Sequence, residues 1–236
     1  MNLILLEETD FVDERTAHLT GAAYVHARQT LGIQVGDAIR VGLIGGLIGV
    51  GQVLRIRDDL AVLRVELEED PPAKLPLTVI LALPRPKRFR RILRTVAELG
   101  VSELIVMNAY RVEKSYWQTP LLREERIREY LREGLEQARD TVLPKVTKKR
   151  LFKPFVEDEL SRLLEGRRGL VAHPGTGVAV PRVDDEPVTL VIGPEGGFLP
   201  YELAKLYETG LSPIDLGERI LTVENALVVS VARLFV

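Results

Sequence analysis

The pattern of apolar residues changes at residues 66–72, and this change constrains the fold more than any other feature of the chain. Before it, residues 38–44, 47–56 and 60–67 are rich in valine, isoleucine and leucine, and Gly45-Gly46 is a plausible hairpin turn between the first two. The acidic run that follows ends in two prolines, which cannot continue a strand ladder. The sequence therefore predicts a small β-domain, a barrel or a sheet, over residues 1–72.

Strands and helices alternate in the rest of the chain. Residues 77–83 and 103–107 are typical of buried strands, and residues 87–99 are typical of a helix that Gly100 ends. This alternation predicts an α/β domain over residues 73–236, with a mostly parallel sheet that binds ligands at the carboxyl ends of its strands. The further elements expected are helices at 121–139 and 156–164, strands at 169–172 and 188–192, a helix after Pro200, a strand at 213–216 and a final helix at 223–236.

The charge of the chain is unevenly distributed. The formal net charge is −2, but residues 1–72 carry 6 basic against 12 acidic residues, whereas the remainder has 26 against 22 and is net positive. The positive charge is concentrated at residues 85–94 and 145–153. Each stretch is compatible with a solvated helix face or with a patch that contacts phosphates.

Several classes of protein are disfavoured by what the sequence lacks. It contains no cysteine, and His18, His26 and His173 are scattered without ligand spacing, so no metal site is expected. The longest apolar run, residues 41–51, is too short to cross a bilayer. No secretory signal pattern stands at the start of the sequence, which predicts a cytoplasmic location without a membrane partner.

A loop rich in glycine follows the strand expected at residues 188–192. Gly193, Gly196 and Gly197 would let main-chain groups approach a ligand closely at the edge where an open α/β sheet binds ligands. A tight surface turn is the simpler interpretation. Neither a phosphate-loop motif nor a dinucleotide-binding motif fits, so nucleoside triphosphates and dinucleotides are disfavoured.

Two other expected strand ends point to the same edge. His173 and Pro174 follow one strand, and residues 216–226 follow another. In that second loop, Arg219 could hold an anionic or carbonyl-bearing partner in two-pronged geometry, or could form an ordinary surface ion pair. Glu224 falls in the first turn of the final helix, where the helix dipole favours a carboxylate whatever its other role.

Five segments, in order and spacing, carry a family resemblance. They are Ala-Glu-Leu-Gly-Val at 97–101, Glu-Gln-Ala-Arg at 136–139 with Leu-Pro at 143–144, His-Pro at 173–174, Ile-Gly-Pro-Glu-Gly-Gly at 192–197 and Leu-Gly-Glu-Arg-Ile-Leu at 216–221. With these segments the sequence resembles, over nearly its whole length, the RsmE family of ribosomal RNA methyltransferases in the SPOUT superfamily.

The resemblance implies a fold, an activity and a cofactor. It implies a PUA-like β-barrel at residues 1–72, a SPOUT domain with a C-terminal trefoil knot at 73–236, and a homodimer. The implied activity is methylation by S-adenosylmethionine of N3 of a uridine in 16S ribosomal RNA of the small subunit. The implied cofactor site consists of His173, Pro174, Gly193, Pro194, Glu195, Gly196, Gly197, Leu216, Gly217, Ile220 and Leu221.

The resemblance also suggests catalytic and RNA-binding residues. Arg219 and Glu224 are the catalytic candidates, and Arg219 would stabilise the negative charge that forms on the uracil carbonyls as the N3 proton leaves. Phe89, Tyr116 and Trp117 could stack on bases, although core packing is the commoner role of such residues. RNA contacts are expected from Arg28, Lys87, Arg88, Arg90, Arg91, Arg111 and Lys114.

The chain departs from the family pattern at several positions. Thr222 and Val223 stand before Glu224 where an arginine and a threonine are usual, Gly32 replaces an arginine, and Thr95 replaces a lysine. Two alternatives therefore stay open beside methylation of uridine N3. One is a non-catalytic SPOUT-type protein that binds RNA or cofactor, and the other is a SPOUT methyltransferase that acts on a different nucleotide.

Overall fold

The computed structural model describes residues 3–235, which form two compact units. The first unit comprises Met1–Ala73 with Arg132–Leu143, and the second comprises Lys74–Leu131 with Pro144–Val236. Residues 132–143 were expected in the second unit, and the observed division differs by this segment.

Hydrogen bonds hold residues 132–143 in the first unit. The guanidinium of Arg132 donates to the carbonyl of Leu5. The hydroxyl of Thr141 donates to the carbonyl of Gly46 at 2.6 Å, and the amide of Gly45 donates to the carbonyl of Thr141 at 2.9 Å. These partners lie far away in sequence, so no local pattern could have indicated where the segment belongs.

The first unit is built on a five-stranded sheet. Its elements are β1 (Ile4–Leu6), a 3-10 turn (Glu8–Asp10), β2 (Thr16–Thr20), α1 (Gly21–His26) with a π-helical turn (Ala27–Leu31), β3 (Ala38–Leu43), β4 (Ile48–Ile56) and β5 (Leu60–Glu69). The strand order is β1-β3-β4-β5-β2, in which β1 and β3 are parallel and the other neighbours are antiparallel. One face of the sheet packs into a core that includes Leu6, Val41, Leu63 and Val65.

The second unit contains six strands, β6 (Leu75–Ala82), β7 (Val101–Met107), β8 (Lys145–Lys149), β9 (Arg168–Ala172), β10 (Val188–Ile192) and β11 (Ser212–Ile214). They form one sheet with the order β11-β9-β10-β6-β7-β8, and every neighbouring pair is parallel.

Helices connect the strands of the second unit. They are α2 (Pro86–Glu98), α3 (Glu124–Ala138, which runs on into the first unit), α4 (Phe152–Pro154) with a π-helical turn (Phe155–Glu159), α5 (Leu160–Leu163), α6 (Pro200–Glu208) and α7 (Val223–Phe235). Two 3-10 turns, Lys114–Gln118 and Pro120–Leu122, precede α3.

The central strands of this sheet are buried on both faces, as in other parallel sheets that helices cover. All five residues of β10 are buried. Helix α2 turns Phe89, Ile92, Leu93, Val96 and Ala97 inward, which is the spacing of one helix face. The stacking role considered for Phe89 is therefore wrong, because its side chain is fully buried.

Most of the expected elements are confirmed, including the turn at Gly45 and Gly46 between β3 and β4 and the α/β class with a parallel sheet. The helix-face interpretation of the basic stretch at 145–153 is wrong, since Lys145–Lys149 is the edge strand β8. Residue 236 of the expected last helix lies outside the described residues. Within residues 3–235, no helix has the length and apolar character needed to span a membrane.

Gly49 is a point where the first unit tolerates no side chain. A Cβ atom there would lie 1.8 Å from the carbonyl oxygen of Glu66 on β5, next to an irregularity in the pairing of the two strands. We expect Gly49→Ala to lower the free energy of unfolding by about 3 kcal/mol, because backbone would have to move. Urea unfolding measures this change in stability. Val50→Ala, at an exposed neighbouring position, is the control. An equally small effect of both substitutions would contradict the close contact of Gly49 with the backbone of β5.

Candidate functional site

A cleft of about 510 Å³ lies in the second unit at the carboxyl ends of β9, β10 and β11. This volume is typical of sites for small organic ligands. Arg219 lines the cleft together with the whole set expected to bind a cofactor, which is His173, Pro174, Gly193, Pro194, Glu195, Gly196, Gly197, Leu216, Gly217, Ile220 and Leu221. The three loops expected to converge are therefore together in the structure.

The loop of residues 193–197, called the glycine loop below, leaves little room for a side chain at two of its glycines. A Cβ atom on Gly193 would lie 3.1 Å from the ring of Phe198, and one on Gly196 would lie 2.9 Å from Cδ of Arg111. Gly197 has a φ of +73°, and its amide closes a turn onto the carbonyl of Pro194 at 2.8 Å. The loop therefore presents main-chain groups to the cleft.

Asp215 connects the loop after β9 with the loop after β11. Its carboxylate accepts the amide of Gly177 at 3.0 Å and the amide of Gly217 at 2.9 Å. These two backbone hydrogen bonds, that from Gly177 first, lower the pKa of Asp215. The carboxylate thus stays charged and holds the loop after β9 against the loop after β11.

Arg88 of α2 connects two acidic residues of the site. Its Nη1 donates to Oε2 of Glu224 at 2.5 Å, and its Nε lies 3.7 Å from Oε1 of Glu195, which also accepts the amide of Arg85 at 3.1 Å. Burial by itself raises the pKa of Glu224, but the hydrogen bond from Arg88 and further contacts outweigh it, so that the pKa is lowered. Glu224 is an ionised partner of Arg88.

A buried carboxylate that was not predicted from the sequence joins the segment after the glycine loop to the segment after β7. Glu202 is 3% exposed, and it accepts the amides of Tyr110 and Leu199, each at 2.8 Å. The neighbouring Arg111 donates to the carbonyl of Gly196. The position of Glu202 in the first turn of α6, three residues after Leu199, is a capping pattern that could have indicated part of this role. Nothing local indicates its bond to Tyr110.

Arg219 differs from the other charged residues of the site. It is exposed at the cleft, and it forms no ion pair with any residue in the described part of the chain, so the surface ion pair considered for it is absent. The next residue, Ile220, is 85% exposed. Two adjacent residues that line the cleft, the charged Arg219 and the apolar Ile220, are thus exposed to solvent.

The expected RNA-binding residues fall in both units, and two of them line the cleft. Arg88 and Arg111 line the cleft, whereas Lys87, Arg90, Arg91 and Lys114 are exposed in the second unit outside its lining. Arg28 belongs to the first unit, where it donates to the carbonyl of Ile33 at 2.7 Å. Arg90 and Arg94 lie over the ring of Tyr130.

Metal ligands do not gather at the cleft. Within residues 3–235, no group of three or more histidine, aspartate or glutamate side chains is arranged to hold a metal ion. The carboxylates that line the cleft, those of Glu195 and Asp215, contact amide and guanidinium groups instead.

Comparison with known proteins gives concordant matches. A family model described as an RNA methyltransferase domain matches residues 71–235. The ribosomal RNA small subunit methyltransferase E of Treponema pallidum is 26% identical, over 96% of this chain and 87% of its own length. The protein of the same name from Synechocystis is 29% identical, over 94% of this chain and 73% of its own length.

Solved structures share the fold. A ribosomal RNA small subunit methyltransferase E from Neisseria gonorrhoeae, bound to S-adenosyl methionine, matches with a TM-score of 0.78 at 19% identity, over 98% of this chain and 95% of that one. A Legionella pneumophila protein in complex with the cofactor SAM matches with a TM-score of 0.77 at 20% identity, over 98% and 95%. The comparisons confirm the resemblance that the sequence segments carry.

The pair of Arg88 and Glu224 should show an energetic coupling that depends on pH. We expect a double-mutant cycle with Arg88→Ala and Glu224→Gln to give a coupling of about 1 kcal/mol in urea unfolding at pH 7. Because pairing lowers the pKa of Glu224 in the folded state, the coupling is present above the unfolded pKa and is lost as pH falls through the folded pKa.

The exposed pair of Arg126 and Glu129 on α3 serves as the control for this cycle. Its coupling should be smaller, as is usual for exposed pairs on one helix. A coupling between Arg88 and Glu224 that is no larger than the control at pH 7, or that does not decline in acid, would rule out the ion pair.

Proposed function

Because the chain belongs to the RNA methyltransferase domain family, we propose that it methylates N3 of a uridine in 16S ribosomal RNA of the small subunit, with S-adenosylmethionine as the methyl donor. The names of the curated relatives support the substrate, and the two solved neighbours that hold this cofactor support the donor. The observation that carries the proposal is the cleft in which the glycine loop and the unpaired Arg219 meet.

The cleft fits S-adenosylmethionine in size and in chemistry. The main chain of the glycine loop offers amide and carbonyl groups to the polar parts of the cofactor. Leu216, Ile220 and Leu221 offer apolar surface, and Ile220 in particular would gain cover from a flat ring. His173, Pro174 and Gly217 complete the wall on the side of β9 and β11.

Arg219 has the properties that methylation of uridine N3 requires. The sulfonium of the bound cofactor supplies a methyl group that is already activated. The imide proton at N3 must leave, and the charge left on the flanking carbonyl oxygens needs a donor in the cleft. Arg219 carries a planar guanidinium that no carboxylate neutralises, so it can donate to such oxygens.

Glu224 is better suited to holding groups in place than to removing the N3 proton. A carboxylate with a lowered pKa is a weak base, and efficient proton acceptors have a pKa near the working pH. We assign Glu224, with Arg88, to fixing the start of α7 beside the cleft. The base that receives the proton is then another group or solvent.

The remaining parts of the proposal concern architecture. The first unit would act as a PUA-like RNA-binding domain, and the second as a SPOUT domain with a trefoil knot around β9 to α7. The chain would form a homodimer through helices such as α7, on which Val228 is exposed. Basic residues of α2, Lys87, Arg90 and Arg91, together with Lys114 and Arg28, would contact phosphates of the RNA. Action on a ribosomal precursor would place the protein in the cytoplasm.

Mass spectrometry of small-subunit RNA tests the proposal. RNA from cells with and without the protein is digested to nucleosides, and the protein is then added back to the unmodified subunit with the cofactor. We expect one N3-methyluridine per small subunit in cells that contain the protein and in the reaction to which it is added back, and none in cells that lack it. A methyl group on another nucleotide would favour a different SPOUT activity, and cofactor binding without methyl transfer would favour a non-catalytic binder.

Gly196→Val should abolish cofactor binding, because the side chain would enter the cleft and displace Arg111. The displaced contact is the flexible part of a side chain, so circular dichroism should stay unchanged. Isothermal titration calorimetry with S-adenosylmethionine measures the binding. Ala204→Val, on the exposed part of α6, is the control. Cofactor binding at the normal affinity in the Gly196 variant would refute the placement of the cofactor.

Arg219→Ala should lower the rate of methyl transfer about 10² to 10³ fold, as is typical for loss of one donor to charge that develops in the transition state. Cofactor affinity should change far less, because that charge is absent in the ground state. Single-turnover methylation of small-subunit RNA and cofactor titration separate the two effects.

Arg219→Lys should restore little activity, because a point charge does not reproduce the planar fork. Arg219 is the only basic residue between Lys205 and Arg233, so no neighbour in its loop can replace it. A near-normal rate in Arg219→Ala would remove this residue from the mechanism.

A further inference from the structure

Two exposed aromatic side chains belong to segments that one buried carboxylate connects. The chain has thirteen phenylalanine, tyrosine and tryptophan residues, all of them within the described part. Two of these are exposed, Tyr110 at 79% and Tyr201 at 50%. The others are buried or half-buried. An exposed tyrosine offers a large rigid surface with one polar end, which is typical of binding sites.

Glu202 links the two tyrosines. Its buried carboxylate accepts the amide of Tyr110, and Glu202 itself follows Tyr201 directly in the first turn of α6. The residue after Tyr110 is Arg111, which lines the cleft and donates to the carbonyl of Gly196. The segments that carry the two tyrosines are therefore connected through Glu202, and the segment of Tyr110 adjoins the glycine loop through Arg111.

We propose that Tyr110 and Tyr201 are stacking positions for unpaired bases of the RNA, next to the nucleotide that enters the cleft. The inference rests on the proposed function, in that the RNA strand it describes is the one that carries the methylated uridine. It adds two residues that touch the substrate and that belong to none of the segments carrying the family resemblance.

The chemistry of the target explains why stacking positions are needed there. N3 lies on the pairing edge of uracil, so the target must be unpaired and taken out of its stack. Its neighbours in the strand then lose a stacking partner, and aromatic side chains replace such partners in proteins that bind single strands. Tyrosine rings beside the cleft stabilise the opened strand at the point where it leaves the active site.

The charge around Tyr110 favours RNA over a protein or a lipid partner. Arg111 binds a neutral carbonyl, so its positive charge stays uncompensated, and Lys114 is exposed without an ion pair to any residue the structure describes. The stretch from Tyr110 to Lys114 carries two basic residues and one acidic one. Aromatic rings interleaved with positive charge are the combination that binds single-stranded nucleic acid.

Binding of a fluorescein-labelled oligouridylate of about 12 nucleotides to the full-length protein tests the proposal. We expect Tyr110→Ala and Tyr201→Ala each to raise the Kd about tenfold, as is typical for loss of one stacked base. Tyr110→Phe should bind normally because it keeps the ring, whereas Tyr110→Leu, which keeps only apolar surface, should bind as weakly as the alanine variant. Binding of a duplex RNA of equal length should change in none of them.

Each outcome bears on the proposal. Equal affinity of Tyr110→Leu and the wild type, or a parallel loss of duplex binding, would overturn it. A change of oligomeric state in Tyr110→Ala, measured by sedimentation velocity, would show that a second copy of the chain covers the rings, which would also overturn it. Circular dichroism and calorimetry with S-adenosylmethionine, both expected to be unchanged, exclude misfolding.

The failure of the proposed function is distinguishable from failure of this inference. If the wild type methylates small-subunit RNA while the tyrosine variants keep its KM, only the inference fails. If the wild type transfers no methyl group but the alanine variants lose affinity for oligouridylate, only the proposed function fails. A supporting result is a rise of about tenfold in KM for RNA at an unchanged single-turnover rate under saturating RNA.

Discussion

Strands β9, β10 and β11 end at the same level of the sheet, because Ala172 pairs with both Ile192 and Ile214. All three run in the same direction, so the chain leaves each of them at one edge. The glycine loop, the loop that begins at His173 and the loop that begins at Asp215 therefore start side by side. The cleft is a consequence of this register, and a shift of one strand would separate the residues that line it.

Carboxylates convert these adjacent loops into one fixed site. Asp215 ties the loops after β9 and β11 to each other, Glu195 ties the glycine loop to the start of α2, and Glu224 ties α2 to the start of α7. Glu202 ties the loop after β7 to the start of α6. Each accepts a charged or amide donor from another segment, and such charge-assisted hydrogen bonds hold loops more firmly than neutral ones. These hydrogen bonds therefore connect the segments around the cleft to one another.

The sequence allowed most of the second unit to be predicted, because its strands are continuous apolar runs and α2 has a clear apolar face. It did not indicate β1, which has only three residues. It also did not indicate the edge strand β8, because three of its five residues are lysines and it lacks the apolar pattern of a strand. The glycine loop was predicted from local composition. The roles of Glu202 and Tyr110 were not, since their bond spans 92 residues and only the folded chain brings them together.

The departure of the chain at Thr222 has a structural reason. Its carbonyl accepts the amide of Ala226 at 2.8 Å, and its hydroxyl accepts the amide of Asn225 at 3.4 Å, so the residue caps α7. A threonine can cap a helix in this way and an arginine cannot. The positive charge beside Glu224 comes from Arg88 of α2, which lies 136 residues earlier in the chain. Glu224 therefore has an ionised, paired carboxylate in a chain that carries a threonine at position 222.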